Sequence, residues 1–302
     1  MSDDLVRLAA PANDSPLRIT ATIDLAAGAR IRQITVADEA DAVDLLAATD
    51  GHEPFSTGWG SFPMAPWAGR LRNGRFRFFR RDVGLDLNHA DGAGTGGGPI
   101  DPPRAAPVGP ISGDDLRRHA IHGTTFARRW NVVEATADSV EVTCRLDGAL
   151  GWDFPGVARQ VITVSPERID LNLSVEADGG AVFPAAIGWH PWFAKPDRLV
   201  AHPIAMFEQD GIGLPTGRLV APTEPPWDDC FVNHAPVELH YDRRLAAVVT
   251  VSSSDCDYWV LYDKPEHATC VEPQSGPPDA LNLRPELATS AHPIRRTMSI
   301  GW

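Results

Sequence analysis

The chain has no run of about 18 or more apolar residues, so nothing in it reads as a membrane-spanning helix. It has no Cys-x-x-Cys pair. Its four cysteines, Cys144, Cys230, Cys256 and Cys270, lie far apart, which fits reduced structural thiols better than a disulfide frame or a zinc knuckle. Basic charge is also short: 27 Lys and Arg stand against 40 Asp and Glu, a formal charge of −13. No block of Lys and Arg supplies the cationic footprint that a phosphate backbone requires, so a nucleic-acid partner is not expected. The first residues, MSDDLVRLAAPAND, carry neither a basic n-region nor an apolar h-region, and a cytoplasmic location is expected.

Helical runs are equally scarce, while 27 prolines and 26 glycines interrupt the chain throughout. Proline breaks helices and is tolerated at strand ends and turns, so the composition points to β structure. Period-two alternation supports this in Ser139 to Leu146 (SVEVTCRL) and Arg168 to Glu176 (RIDLNLSVE), where every second residue is apolar. Val157 to Val164, Leu245 to Ser252, Tyr258 to Tyr262, Thr269 to Glu272 and Ile294 to Trp302 are further strand candidates. Only Ala37 to Thr49 (ADEADAVDLLAAT) reads as a helix. The expectation is an all-β protein, a large antiparallel β-sandwich forming a single domain over residues 1–302.

One low-complexity stretch, Ala90 to Pro110, contains Gly92, Gly94 and Gly97 in GxGxxG spacing. A dinucleotide fingerprint needs a helix opening from its last glycine, and here Pro99, Pro102 and Pro103 follow. A surface loop is the expected reading, long enough to act as a lid.

Four segments look chemically specific. FPMAPWAGRLRNGRF (Phe62 to Phe76) delivers Arg70 to a turn at Asn73 and Gly74; HAIHG (His119 to Gly123) places His122 before a glycine. IGWHPWF (Ile187 to Phe193) flanks His190 with Trp189 and Trp192, and VEPQSGPPDALN (Val271 to Asn282) ends a short β run on Glu272. A histidine among tryptophans, or a carboxylate ending a buried strand, is costly unless paired or functional. Together with the tryptophans, two histidines, a carboxylate and an arginine are the inventory of a sugar site: aromatic faces for the C–H side of a pyranose, polar groups for its hydroxyls. A metal set built on His119 and His122 is weighed against this, but i and i+3 on an extended segment face opposite sides, so no metal is expected.

In order, the segments run P-x-x-x-R-L-x-x-G (Pro66, Arg70, Leu71, Gly74), I-H-G (Ile121 to Gly123), H-P-W-F (His190 to Phe193), D-D-C-F (Asp228 to Phe231), then E-P-Q and P-D-A-L-N (Glu272 to Gln274, Pro278 to Asn282). This ordered set resembles the aldose 1-epimerase, or galactose mutarotase, family from about Gly60 to the C-terminus. The resemblance implies a β-sandwich with an open sugar cleft and cofactor-free interconversion of the α and β anomers of free aldoses. It implies Glu272 as general base at the anomeric hydroxyl, His190 as general acid at the ring oxygen, and His122 assisting near that oxygen. Arg70, Trp192 and Gln274 are the implied sugar contacts, joined by Asp228, with Asp229 as the neighbouring alternative.

The chain departs from the family pattern where Gly69 precedes the arginine and where Trp189 and Ala194 stand in place of asparagines around the acid. Hydroxyl recognition therefore differs, and the aldose is left open. A hexose 6-phosphate is a related expectation, because Arg72, Arg75, Arg77, Arg80 and Arg81 follow Arg70. A non-catalytic sugar-binding protein on the same scaffold is the alternative from another class.

Overall fold

A computed structural model describes residues 4–12, 15–48, 57–90 and 118–302. The Ala90 to Pro110 stretch, beyond Ala90 itself, lies outside the described residues, and so does Thr49. Two large antiparallel sheets carry the architecture. The 8-stranded sheet holds Asn131–Ala135, Ser139–Arg145, Gly156–Val164 and Arg168–Ala177 in sequence order, followed by the C-terminal Ile294–Gly301 and then Val248–Ser252, Val237–His240 and Arg198–Val200. Its strands alternate as their sequences do: Ile169, Leu171, Leu173 and Val175 are buried while Arg168, Asn172 and Glu176 are exposed.

The 11-stranded sheet runs from the N-terminal strands through Arg30–Ala37 and Ser61–Met64 to Gly188–Ala194, Ala268–Gln274, Tyr258–Tyr262 and Asp228–Val232. One buried core cluster joins the two sheets, with Val140, Leu171 and Ile300 from one and Ile34, Trp189 and Trp259 from the other. Each such side chain contributes roughly 1.5–3 kcal/mol by leaving water. Polar links cross this region too: Trp189 Nε1 donates to Gln160 Oε1 at 2.8 Å, and Gln160 Nε2 donates to the Ala29 carbonyl at 3.4 Å.

The helix expected over Ala37 to Thr49 does not form. Asp38 Oδ1 accepts the amides of Ala40 and Asp41 at 2.8 and 2.9 Å, which closes a turn instead, and Ala42–Asp44 returns antiparallel to Arg30–Ala37. Leu45 and Leu46 then enter the core as extended residues. Among the described residues the one helix is the short Ala280–Leu283, and no helix is long and apolar enough to cross a membrane.

Candidate active site

Register decides which side chains meet. Gly188 pairs with Gln274 and Trp192 with Cys270, so His190 stands opposite Glu272 on the neighbouring strand. Pairing continues from Glu272 to Val260 and from Val260 to Cys230; on the other side His190 pairs with Phe62. Because side chains alternate along a strand, Phe62, His190, Glu272 and Cys230 share one face of the sheet. Trp189, Phe193, Val271, Trp259 and Phe231, each one residue out of step, share the other face and form core. The chemically specific residues therefore lie on the side of the sheet turned away from the sandwich interior.

His190 Nε2 is 3.4 Å from Glu272 Oε1, and both side chains are almost wholly buried. Gln274, two residues along the same face, donates from Nε2 to Glu272 Oε2 at 3.2 Å. Burial raises the Glu272 carboxyl well above the usual carboxylate range, and the charge of Asp228 adds to this. Burial lowers His190 to about 3, with the positive charges of Arg30 and then Arg70 reinforcing it. Over the range between those limits the pair holds one proton, and both directions favour the neutral form in which the carboxyl carries it.

His122 brings its ring to the same place from a separate small sheet. Its centroid lies 4.9 Å from that of His190, edge to face, and 5.5 Å from Phe62. The residue sits in the left-handed region, φ 61°, and Gly123 follows at φ 81°. A Cβ on Gly123 would fall 2.0 Å from the carbonyl oxygen of Ala65, so only glycine lets this turn close against the Phe62 segment. Strained backbone of this kind persists where surroundings over-determine it. The Nδ1 of His119 accepts the amide of Asn73 at 3.2 Å.

Arg70 opens the strand Arg70–Arg72, paired to Ile121 beside His122. Its charge acts on both His190 and Glu272. Asp279 of the P-D-A-L-N motif fixes this strand: its amide donates to the Arg70 carbonyl at 2.7 Å and its Oδ1 accepts the Arg72 amide at 2.9 Å. Asp228 pairs with Tyr262, which pairs with Cys270, so Asp228 is on the Glu272 face and Asp229 on the opposite one.

Trp192 does not offer the open aromatic face that the sequence suggested. Its ring is parallel to His190 within 8° at 5.3 Å and to His267 within 9° at 6.1 Å, and Tyr262 meets it edge-on. The Trp192 ring is almost wholly buried among these three neighbours. Trp192 packs against the His190 ring, and Phe62 stacks on it at 5.0 Å.

Two buried neighbours of the pair escaped the sequence reading. Arg30 is fully buried, with its guanidinium 4.2 Å from the Trp59 ring and 4.5 Å from Phe62, and Nη1 donates to the Trp59 carbonyl at 2.9 Å. Nothing around IRQITV marks Arg30 as different from a surface arginine. Cys270 is the other: its thiol, His190 and Glu272 each offer a donor atom, all within 4.8 Å of one another.

The model of the family described as aldose 1-epimerase matches residues 105–275. The chain belongs to the aldose 1-epimerase family. Solved structures similar in fold include a galactose mutarotase-like protein from Clostridium acetobutylicum, at TM-score 0.73 and 15% identity over 99% of this chain and 98% of that one. The GalM/aldose epimerase homologue from C. elegans aligns at TM-score 0.69 and 16% identity over 98% of each chain. At these identities the likeness shows the family's fold, with its large antiparallel sheets. Among curated proteins, the uncharacterized protein YihR of Escherichia coli K12 is 24% identical over 131 residues. That match spans 43% of this chain and about a third, 34%, of the relative.

Proposed function

We propose that this family member is a cofactor-independent aldose 1-epimerase, working as one domain, that opens and recloses the hemiacetal ring of a free aldose. The observation that supports it is the buried His190–Glu272 pair at 3.4 Å, in which burial disfavours both the carboxylate and the imidazolium. Ring opening needs one proton held between an acid and a base. With the proton on His190, the Glu272 carboxylate takes the proton of the C1 hydroxyl while the imidazolium protonates the ring oxygen; the C1–ring-oxygen bond breaks and the carbonyl forms. C1 rotates, and the reverse transfers reclose the ring on its other face, restoring the proton to where it began. Sugar hydroxyls replacing apolar surroundings stabilise the charge-separated form. Gln274 already donates to the carboxylate oxygen that faces away from His190.

His122, across from His190, assists at the ring oxygen, while Arg70, Asp228 and Gln274 receive hydroxyls. Trp192 holds the acid rather than the sugar. A phosphosugar is less well served: Arg72 pairs with Asp210 at 2.7 Å and with Asp279, Arg77 with Asp82, and Arg81 with Asp153. A pure sugar binder would gain nothing from burying an acid beside a base, since that burial costs stability.

The test is polarimetry on freshly dissolved α-D-glucose and α-D-galactose. The protein is expected to accelerate equilibration, and Glu272→Gln and His190→Asn to abolish most of that acceleration. No acceleration with any aldose or hexose 6-phosphate, with sugar binding retained, sinks the enzyme reading.

A further inference from the structure

Cys270 has no part in the proton transfers, yet it shares a strand face with Glu272 and lies diagonally across from His190. Among the described residues, His190, Cys270 and Glu272 are the group whose donor atoms converge, and all three are buried. We propose that these residues form a three-ligand site for a thiophilic divalent cation of the zinc class, and that the ion competes with the sugar.

Tetrahedral zinc takes nitrogen and oxygen at about 2.0–2.2 Å and sulfur at about 2.3 Å, so its donors stand roughly 3.3–3.8 Å apart. The 3.4 Å between His190 Nε2 and Glu272 Oε1 already meets that separation. The thiol, within 4.8 Å of both, closes the rest by a side-chain rotation. A set of imidazole, thiolate and carboxylate selects zinc-like ions over magnesium and calcium, which take oxygen ligands. Three protein ligands leave a fourth position open to water.

On binding, the cation takes the place of the Cys270 thiol proton and the Glu272 carboxyl proton, and both leave to solvent. The charges around the site oppose one another. Arg30 and Arg70 act on His190 against a cation, whereas Asp228 acts on both Cys270 and Glu272 in its favour. His190 Nδ1 is buried with no hydrogen-bond partner among the described residues, so the outer contact that usually strengthens a zinc histidine is missing. Both features make the ion exchangeable. Ion binding itself stands on geometry alone; competition with sugar rests on the proposed roles of His190 and Glu272.

The experiment titrates chelator-treated, full-length protein with cobalt(II) and follows the thiolate-to-cobalt charge-transfer band, then displaces the cobalt with zinc. One equivalent per chain with a thiolate band is expected in the wild type, and neither in Cys270→Ser. Cys270→Ala serves if serine in this apolar setting prevents folding. Zinc is expected to raise the apparent KM for the aldose. In the Cys270 variant the zinc concentration for half-inhibition should rise tenfold or more, with the metal-free rate within about twofold of wild type. A wild type without the thiolate band, a band surviving in Cys270→Ser, or unchanged zinc inhibition in that variant overturns the site. If the protein does not accelerate mutarotation at all, the epimerase reading fails and the cobalt spectrum alone decides the ion site.

Discussion

Strands Arg168–Ala177 and Ala268–Gln274 are each central in a large antiparallel sheet, yet they bury themselves differently. The first alternates, one face in the core and one toward water; the second is buried at every residue. In the same way Gly188–Ala194 is buried from Gly188 through Phe193. A strand covered on both faces normally reads as continuous Val, Ile and Leu. Here the second face carries His190, Glu272, Gln274 and Cys270 instead. Hydrogen bonding does not divide the faces so cleanly. On the core face Trp189 Nε1 is satisfied by Gln160 but Ser61 Oγ and Thr269 Oγ1 find no partner among the described residues, and on the site face neither do Trp192 Nε1, His190 Nδ1 and Gln274 Oε1. Buried polar atoms left without partners are costly, and those of the site face belong to residues in or against the His190–Glu272 pair.

That comparison can be broken by exchanging neighbours one residue apart. The largest expected effect is on rate. His190→Asn should lower the mutarotation rate on the order of 10²–10⁴-fold, about 3–5 kcal/mol of barrier, while the protein still unfolds in one cooperative transition. Trp189→Ala, the adjacent substitution on the core face, should cost about 3–5 kcal/mol in urea unfolding, because it empties a fully buried site and strips Gln160 Oε1 of its donor. Its activity per folded molecule should fall far less than that of His190→Asn. Equal losses of activity from both would show that the two faces do not divide the labour.

The same division explains what could be read from the chain. Strands with a wet face announce themselves by alternation, as Ser139–Arg145 and Arg168–Ala177 do. The site strands carry no such period, and it was the ordered motifs around His190 and Glu272 that marked them. Alternation could not separate Asp228 from Asp229, because the choice depends on pairing with Tyr262 and Leu261, a property of register rather than of local pattern. The surroundings of Trp192 are hidden for a related reason: a tryptophan suits sugar stacking, but its ring is buried against His190, Tyr262 and His267, the last two far along the chain. Ala37 to Thr49 has no Pro or Gly to break a helix, yet Asp38 accepts the amides of Ala40 and Asp41 and closes a turn.

A smaller effect concerns stability. The folded Glu272 carboxyl is held above its ordinary pKa by burial, so above about pH 4.5 the unfolded chain releases a proton that the folded chain keeps. Folding stability at this site is full below that pH and declines as pH rises toward the folded pKa. Glu272→Gln removes the penalty. It should raise the melting temperature at pH 7 by on the order of 2 °C, and the gain should vanish at pH 4. A variant that is inactive yet no more stable at pH 7 would mean that the carboxyl is not held in the way its burial indicates.

The smallest effect separates the two aspartates. In kcat/KM, which reports the sugar-free protein, the alkaline limb marks the loss of the single proton from the His190–Glu272 pair. Asp228 raises Glu272, so Asp228→Asn should move that limb to lower pH. Asp229 lies on the opposite face and does not act on Glu272, so Asp229→Asn should leave the limb where it is. Both variants change one charge at adjacent positions of one strand. An equal displacement in both would mean that the limb follows net charge and not the face of the sheet; a displacement in Asp228→Asn alone ties the proton inventory to the geometry of that face.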